Sequence, residues 1–220
     1  MKLSDNTVSV LKNYSTINQN LMINSGSTLR TISAMNNIIA TANVEENFEK
    51  SVGIYDLNEF LAAMSLFDSP ELDFQNDFVM MGNEGSRKSL KYWYSDPSVV
   101  TTVKREITMP STDVTFTLTG EDLSNVTKAA AVIGAPDMVL ENGSLRVTDK
   151  KNDTANHFSM SVMENTEASD YKFWFKVENL KLLPGTYDVS VSAQKISHFK
   201  NTNVDIEYFI ALEPESYYGK

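Results

Sequence analysis

The sequence contains no cysteine and only two histidines among its 220 residues. Without cysteine there are no disulfide bonds, no thiolate metal ligands and no cysteine nucleophile, and the composition fits a reducing compartment. His157 and His198 have no second histidine at metal-ligand spacing, and we interpret both as exposed structural residues. The sequence also lacks a phosphate-binding glycine loop and the motifs of zinc proteases and serine hydrolases. These absences predict a protein that is not an enzyme and that binds no cofactor or metal.

Long apolar runs are missing as well. No stretch approaches the roughly 18 apolar residues that a membrane-spanning helix needs. The N-terminal residues MKLSDNTVSV lack the apolar core of a signal peptide. Hydrophobic residues make up 41% of the chain and charged residues 22%, as in ordinary globular proteins. We therefore expect a protein that is neither exported nor inserted in a membrane.

Positive charge is scarce. Lysine and arginine number 19 against 29 aspartate and glutamate residues, which gives a formal net charge of -10. Because duplex DNA is bound largely through neutralisation of its phosphates, this balance argues against DNA binding by the surface as a whole. Net charge does not describe a single face, however, and an acidic exterior is compatible with one mildly basic surface. Composition alone leaves both possibilities open.

An amphipathic helix is predicted over residues 3–18, LSDNTVSVLKNYSTIN. At about 100° per residue, its apolar side chains fall on one face. Those residues are Thr7, Val10, Leu11, Tyr14 and Ile17. Lys12 lies almost opposite them, in a polar group made up of Asp5, Ser9, Asn13 and Thr16. The helix therefore buries one face and exposes another that carries a single cation, as an ordinary surface helix would.

The same arrangement recurs half a chain later, in residues 118–134, LTGEDLSNVTKAAAVIG. Lys128 lies across from the apolar face of this second helix. That face consists of Leu123, Val126, Ala129, Ala130 and Ile133. Thr119 and Asp122 have the spacing of a capping box, and Gly134 is placed to end the helix. The recurrence predicts an internal repeat.

Two shorter helices are predicted in addition. A helix over residues 57–67 begins after its N-cap Asp56, and a short helix over residues 177–183 is stopped by Pro184. They lie in two similar segments, IYDLNEFL at 54–61 and FKVENLKL at 175–182. The similarity of these segments strengthens the prediction of a repeat.

Strands and turns fill the rest of the chain. The pattern of residues 72–94 predicts an antiparallel meander, and that of residues 45–49 predicts an exposed acidic loop. The predicted order of elements in each half of the chain is strand, helix, strands, short helix, strands. This order indicates an α+β protein with two similar domains, each with helices on one side of antiparallel sheets. We place the domains at 1–106 and 107–220, with a connector at roughly 95–112.

Two other functions are compatible with these residues. The acidic runs at 45–46 and 164–170 are typical of solvated surface, yet carboxylates from separate loops can converge on an active site that the sequence does not reveal. A duplicated β-rich structural or binding module, such as a virion component, would show the same order of elements. Loss of an activity upon single carboxylate substitutions would indicate the enzyme, and independence from DNA would indicate the structural module.

Short motifs are distributed along nearly the whole chain, from the first residue to Glu213. They are MKLS at the start, LKNYSTIN at 11–18, IYDLNEFL at 54–61 followed by SL at 65–66, SR at 86–87, DPSV at 96–99, LPGTY at 183–187 and YFIALE at 208–213. In this order and spacing they resemble the sliding clamps of T-even-type bacteriophages, the processivity factors of the replicative DNA polymerase. The order and spacing of the motifs are more specific than any one of them.

The resemblance implies two similar DNA-clamp domains per chain, with antiparallel sheets outside and helices lining the inner face. Three subunits would form a head-to-tail homotrimeric ring that encircles duplex DNA and tethers the polymerase, in the cytoplasm of the infected bacterial host. The expected partners are the C-terminal tail of the polymerase, an ATP-driven clamp loader and phage late-transcription factors. The clamp itself would hydrolyse nothing.

The resemblance also implies which cations face DNA. The pore residues would be Lys12, Lys128 and Lys181, with Lys2 as a further candidate. Ala131 occupies a position where a second basic residue is expected, so that the pore contains few cations.

Contacts with proteins are implied at two further places. An apolar groove for partner peptides would involve Val103, Ile107, Leu212 and Pro214. Subunits would meet by strand pairing at two exposed edges, near residues 88–94 and 158–163.

Overall fold

The helix and strand boundaries of the computed structural model follow the capping and turn residues of the sequence. The structure describes residues 1–167 and 170–219. The predicted acidic run at 164–170 therefore falls partly outside the described residues. The chain divides into two units, Met1–Arg105 and Glu106–Lys220.

The first unit contains two helices and seven strands among its described residues. The helices are α1 (Asp5–Ile17) and α2 (Leu57–Met64). The strands are β1 (Leu21–Ile23), β2 (Gly26–Ile32), β3 (Ile38–Phe48), β4 (Val52–Ile54), β5 (Glu71–Phe74), β6 (Phe78–Gly82) and β7 (Ser89–Trp93). The two helices confirm the predictions for this unit, although α2 ends three residues before the predicted boundary.

The core of the first unit lies under α1, which packs on β2, β3 and α2. The hydroxyl of Tyr14, fully buried, donates a hydrogen bond to the carbonyl of Leu29 on β2 (3.1 Å). Strands β5, β6 and β7 form an antiparallel sheet in that order, which confirms the predicted meander. Strand β1 pairs with β4, and β2 pairs with β3.

The second unit contains one α-helix, α3 (Gly120–Ile133), and ten strands among its described residues. The strands are β8 (Val114–Leu118), β9 (Asp137–Glu141), β10 (Ser144–Thr148), β11 (Phe158–Ser161), β12 (Glu164–Thr166), β13 (Tyr171–Lys176), β14 (Tyr187–Ser192), β15 (Ile196–Asn201), β16 (Ile206–Ala211) and β17 (Tyr217–Tyr218).

Two antiparallel arrangements of strands form the second unit. One has the order β12-β8-β14-β15-β16, and the other has the order β11-β10-β9-β13-β17. Helix α3 packs on β10 and β11. Fully buried aromatic side chains fill the interior, among them Phe173 and Phe175 from β13 and Phe199 from β15. Phe175 and Phe199 meet edge to face, with ring centroids 6.2 Å apart.

The predicted acidic loop at 45–49 is wrong, because β3 continues through Phe48. The strand alternates in burial, so Val44, Glu46 and Phe48 point inward while Glu45 and Asn47 are exposed. Glu46 is only 9% exposed. The buried carboxylate is tolerated because donors from the start of α1 are available to it.

The predicted short helix at 177–183 is also wrong. The structure has a single 3-10 turn, Val177–Asn179, and the chain is irregular as it approaches Pro184. The corresponding helix α2 has Asp56 as N-cap, and its carboxylate accepts hydrogen bonds from the N–H groups of Asn58 and Glu59. Lys176 occupies the N-cap position of the 3-10 turn and provides no side-chain cap. A short helix without a cap is not stable enough to extend.

The prediction for one of the two histidines needs correction. His198 is on β15, where it is half-buried rather than exposed. Its Nε2 lies 2.9 Å from Glu207, and its ring stacks on Phe209 with centroids 4.6 Å apart. His157 is exposed, as predicted.

Candidate nucleic-acid interface

Helix α1 exposes a polar face with one lysine. Ser4 is its N-cap, and the Ser4 hydroxyl accepts a hydrogen bond from the N–H of Thr7 (3.2 Å). The predicted apolar face is confirmed, since its five residues are all buried: Thr7, Val10, Leu11, Tyr14 and Ile17. Lys12 is exposed on the opposite face.

A carboxylate from β3 holds the start of α1 in place. Glu46 accepts one hydrogen bond from the backbone N–H of Ser4 and another from the hydroxyl of Thr7. Burial raises the pKa of Glu46, but the hydrogen bonds from Thr7 and Ser4 outweigh it and leave the pKa below its usual value. The carboxylate is therefore ionised at neutral pH and fixes α1 to the sheet that carries it.

Helix α3 exposes an equivalent polar face, but a different set of hydrogen bonds holds its start in place. The capping box is confirmed: the Thr119 hydroxyl accepts from the N–H of Asp122 (3.1 Å), and the Asp122 carboxylate accepts from the N–H of Thr119 (3.1 Å). Gly134 ends the helix in the left-handed region, with φ 65°. Lys128 is exposed.

The apolar face of α3 is narrower than predicted. Leu123, Val126 and Ala130 are buried, whereas Ala129 and Ile133 are half-buried. Helix α3 makes its main contacts with β10 and β11, and these strands leave Ala129 and Ile133 partly exposed.

The other two predicted pore lysines occupy different environments. Lys2 is exposed and precedes α1. Lys181 is half-buried and lies beyond the 3-10 turn, not on a helix as predicted. The exposed positions of α2 include Asn58, Glu59 and Ala62, so that this helix adds no cation.

A cleft of about 200 Å³ separates α1 from α2 in the first unit. Asp5 and Lys12 both line it, which places these two charged side chains on the same side of α1. Leu61, Met64 and Phe67 contribute apolar lining from α2 and the residues that follow it. Lys12 is a residue that the resemblance implies as a DNA contact, whereas neither the sequence pattern nor the resemblance predicts a role for Asp5.

The four predicted groove residues differ in exposure. Val103 and Ile107 are half-buried in the irregular connector, and Pro214 is exposed. Leu212 is buried, at 7% exposure, and its N–H donates to the carbonyl of Lys195 (3.0 Å). Their role as a groove for partner peptides stays a prediction.

The strands predicted as exposed edges are edges in the structure. Strand β7 ends the sheet β5-β6-β7, and β11 ends the order β11-β10-β9-β13-β17. On β7, Trp93 is 62% exposed, and the Lys91 Nζ lies 5.0 Å from its ring centroid and 4.1 Å from that of Phe78. Just after β11, Met163 is 94% exposed. The sequence pattern does not predict the exposure of these two apolar side chains.

The described residues show no metal centre and no membrane span. Within 1–167 and 170–219, no three histidine, aspartate or glutamate side chains come together as metal ligands. In the same part of the chain, no helix has both the length and the apolar character needed to cross a bilayer.

Comparison with solved structures identifies the fold as that of the DNA-clamp proteins. The chain is similar to proliferating cellular nuclear antigen from Entamoeba histolytica, with a TM-score of 0.72 and 16% identity over 96% of this chain and 97% of that one. It is also similar, with a TM-score of 0.70 and 14% identity over 95% of each chain, to a structure described as the C-terminal region of FEN-1 bound to A. fulgidus PCNA. The predicted α+β fold with two clamp domains is confirmed.

Sequence comparisons then give the family. Residues 3–102 match the model of the DNA polymerase processivity factor, and residues 114–214 match the model of the gp45 sliding clamp, C terminal. The sliding clamp of Vibrio phage KVP40 is 37% identical over 222 residues, covering 97% of this chain and 99% of the relative. The chain belongs to the gp45 sliding clamp family. It is a sliding clamp that acts as a processivity factor for DNA polymerase, as the resemblance implied.

Proposed function

We propose that three copies of this chain close head to tail into a ring around duplex DNA, with the polar faces of α1 and α3 toward the DNA. The observation that carries the proposal is the matched position of Lys12 and Lys128. Each lies exposed on the polar face of a helix whose opposite face is buried against strands. Two such helices in each of three subunits give a sixfold repetition of the same surface.

The open sheet edges support head-to-tail closure. A ring of identical subunits needs two different surfaces on each copy that fit each other. Strands β7 and β11 are such surfaces, since both end their sheets and leave backbone donors and acceptors unpaired on one side. Pairing of β7 from one copy with β11 from the next would satisfy these groups and cover the exposed side chains of Trp93 and Met163.

The proposed DNA contact is weak and independent of base sequence. Lysine contacts to phosphates position a protein on the duplex without reading bases. Lys12 and Lys128 would supply these contacts, with Lys2 and Lys181 as further candidates in less regular parts of the chain. A ring that encloses DNA does not need tight contacts to remain on it, so few cations suffice.

The partner proteins are proposed from the family. We expect the polymerase tail to bind an apolar groove that involves Val103, Ile107, Leu212 and Pro214, since a similar clamp chain carries the C-terminal region of FEN-1. An ATP-driven clamp loader and late-transcription factors are further expected partners. The clamp itself would catalyse no reaction and would act in the cytoplasm of the infected bacterium.

The experiment that tests the ring combines mass with topology. Light scattering across a dilution series should give a species near three times 24.6 kDa. Binding to a fluorescent 40-bp duplex with open ends should then be much stronger than to the same duplex with both ends blocked by bulky proteins, because an unassisted ring enters only from an end. A monomer at every concentration, or equal binding to both duplexes, would contradict the proposal.

A further inference from the structure

The exposed faces of α1 and α3 carry the same order of charges. We call Asp5, Ser9, Lys12 and Thr16 the α1 strip, and Glu121, Asn125, Lys128 and Val132 the α3 strip; all eight residues are exposed. Residues at these spacings lie within about 60° of one another on a helix. From the N-terminus, each strip reads acid, neutral polar, lysine, neutral. Each strip therefore carries no net charge at neutral pH.

The acid of each strip is not explained by helix capping. The Ser4 hydroxyl caps α1, and Asp122, not its neighbour Glu121, completes the capping box of α3. Within residues 1–167 and 170–219, neither Asp5 nor Glu121 forms an ion pair. Both carboxylates therefore point into solvent on the side of the helix that carries the lysine.

The acid and the lysine of each strip are close enough for both charges to act on the phosphates of one DNA duplex. Seven residues of helix separate them by about 10 Å along the axis. This separation is too long for an ion pair but close to the screening length of about 8 Å at physiological ionic strength. A phosphate held at the lysine is still repelled by the acid. In the first unit, Asp5 and Lys12 also line the same cleft.

We propose that Asp5 and Glu121 are counter-charges that limit how tightly the clamp holds DNA. The proposal rests on the proposed function, in which the two strips face the duplex. Each lysine attracts a phosphate and each acid repels the next, so that DNA is centred without being held at one register. Three copies of two strips would give the DNA-facing surface six lysines and six opposing acids.

The test uses the full-length chain with the neutral double substitution Asp5→Asn/Glu121→Gln. The probe is the fluorescent 40-bp duplex with open ends, titrated at salt concentrations from 25 to 200 mM. We expect the variant to bind about three- to tenfold more tightly at the lowest salt, with the gain disappearing as salt rises. The sliding diffusion coefficient on long DNA should fall by a similar factor.

A matched control separates this local effect from net charge. Glu84→Gln/Asp153→Asn removes two other exposed carboxylates, from turns between strands, and changes the net charge by the same amount. If this control tightens DNA binding equally, the effect is general and the proposal is overturned. If Asp5→Asn/Glu121→Gln lowers only the thermal midpoint, the acids act on the helix dipoles, and the proposal is again overturned.

Failure of the proposed function gives a different result. In that case Lys12→Gln/Lys128→Gln and end blocking would both leave DNA binding unchanged. If those two changes do weaken binding while the acid substitutions have no effect, the DNA-facing surface stands and the role of the two acids is wrong.

Discussion

The Glu46 carboxylate on β3 accepts a hydrogen bond from the hydroxyl of Thr7, a fully buried residue in the first turn of α1. The same carboxylate accepts from the backbone N–H of Ser4. Besides its local N-cap Ser4, helix α1 is thus held by a residue that is distant in sequence, whereas the capping box of α3 is formed between Thr119 and Asp122. The two helices therefore expose equivalent lysines, although different hydrogen bonds hold their first turns in place.

Substituting Glu46 should destabilise the first unit in a pH-dependent manner. Glu46→Gln replaces two charge-assisted hydrogen bonds by weaker ones, and we expect a loss of about 1–3 kcal/mol at pH 7. Because the pKa of Glu46 is lower in the folded than in the unfolded chain, its contribution is complete above the unfolded value of 4.5 and is lost as the pH falls through the folded value. Urea titrations at pH 7 and in acid measure the difference.

The neighbouring exposed residue provides the control for this substitution. Glu45→Gln removes the same charge from the same strand without touching α1. It should change the free energy of unfolding by less than about 0.5 kcal/mol. An equal loss in both variants, or a loss in Glu46→Gln that persists unchanged at acid pH, would show that the hydrogen bonds to α1 are not the cause.

Replacing Gly134 should test the left-handed end of α3. Gly134 has φ 65°, and no other atom lies within 4 Å of the position a Cβ would take. Gly134→Ala should therefore cost about 1 kcal/mol through backbone conformation alone. Gly134→Asn should cost less, since asparagine adopts this conformation more readily. Equal thermal midpoints for the two variants would argue against this explanation.

Charge reversal at the two helix lysines should reduce processivity. Lys12→Glu/Lys128→Glu replaces attraction to phosphates by repulsion without altering a buried group, so the fold should remain intact. We expect the length of primer-extension products to fall about tenfold at moderate salt. Lys151→Glu/Lys200→Glu makes the same change at exposed lysines outside the helices and should have little effect. Full processivity of the helix variant at low salt would contradict the assignment of these faces to DNA.

Removing the exposed tryptophan of β7 should weaken assembly. Trp93→Ala takes away an apolar ring that is 62% exposed at a sheet edge. If β7 pairs with β11 of the next subunit, we expect the dissociation constant of the trimer to rise by about tenfold or more. Tyr55→Ala removes a ring of similar exposure (60%) that is not on this edge, and it serves as the control. Sedimentation across a dilution series distinguishes a specific effect from a general loss of apolar surface.

Local patterns of the sequence predicted the two long helices, α1 and α3, with accuracy. The stripe from Thr7 to Ile17 and the capping box at Thr119 involve residues within a few positions of one another, so periodicity and spacing reveal them. The exposed edges that the resemblance implied near residues 88–94 and 158–163 are the edge strands β7 and β11.

The failures arose where a distant contact decides the structure. The alternation of Val44, Glu46 and Phe48 is a strand pattern, but an acid in an inward position is acceptable only because α1 supplies donors to it. The segment after Lys176 has helical apolar spacing, yet that lysine pairs with the buried Asp137 (2.6 Å) and no residue caps a helix there. The helical pattern placed Asp5 on the polar face of α1, but the role that we propose for Asp5 and Glu121 also rests on the finding that neither forms an ion pair within residues 1–167 and 170–219.

The two ways of capping the helices have a consequence for the order of folding. The capping box of α3 and its C-cap Gly134 come from residues 119–134, so most of what ends this helix is local, although the N–H of Gly120 also donates to the hydroxyl of the distant Thr186 (3.2 Å). Helix α1 has a local cap in Ser4, but its contacts with a carboxylate form only when β3 brings Glu46 to it, which requires closure of a loop of about forty residues. Because Glu46 accepts two hydrogen bonds at the start of α1 and Thr186 accepts one at the start of α3, we expect pulse-labelled hydrogen exchange to protect the amides of α3 earlier than those of α1.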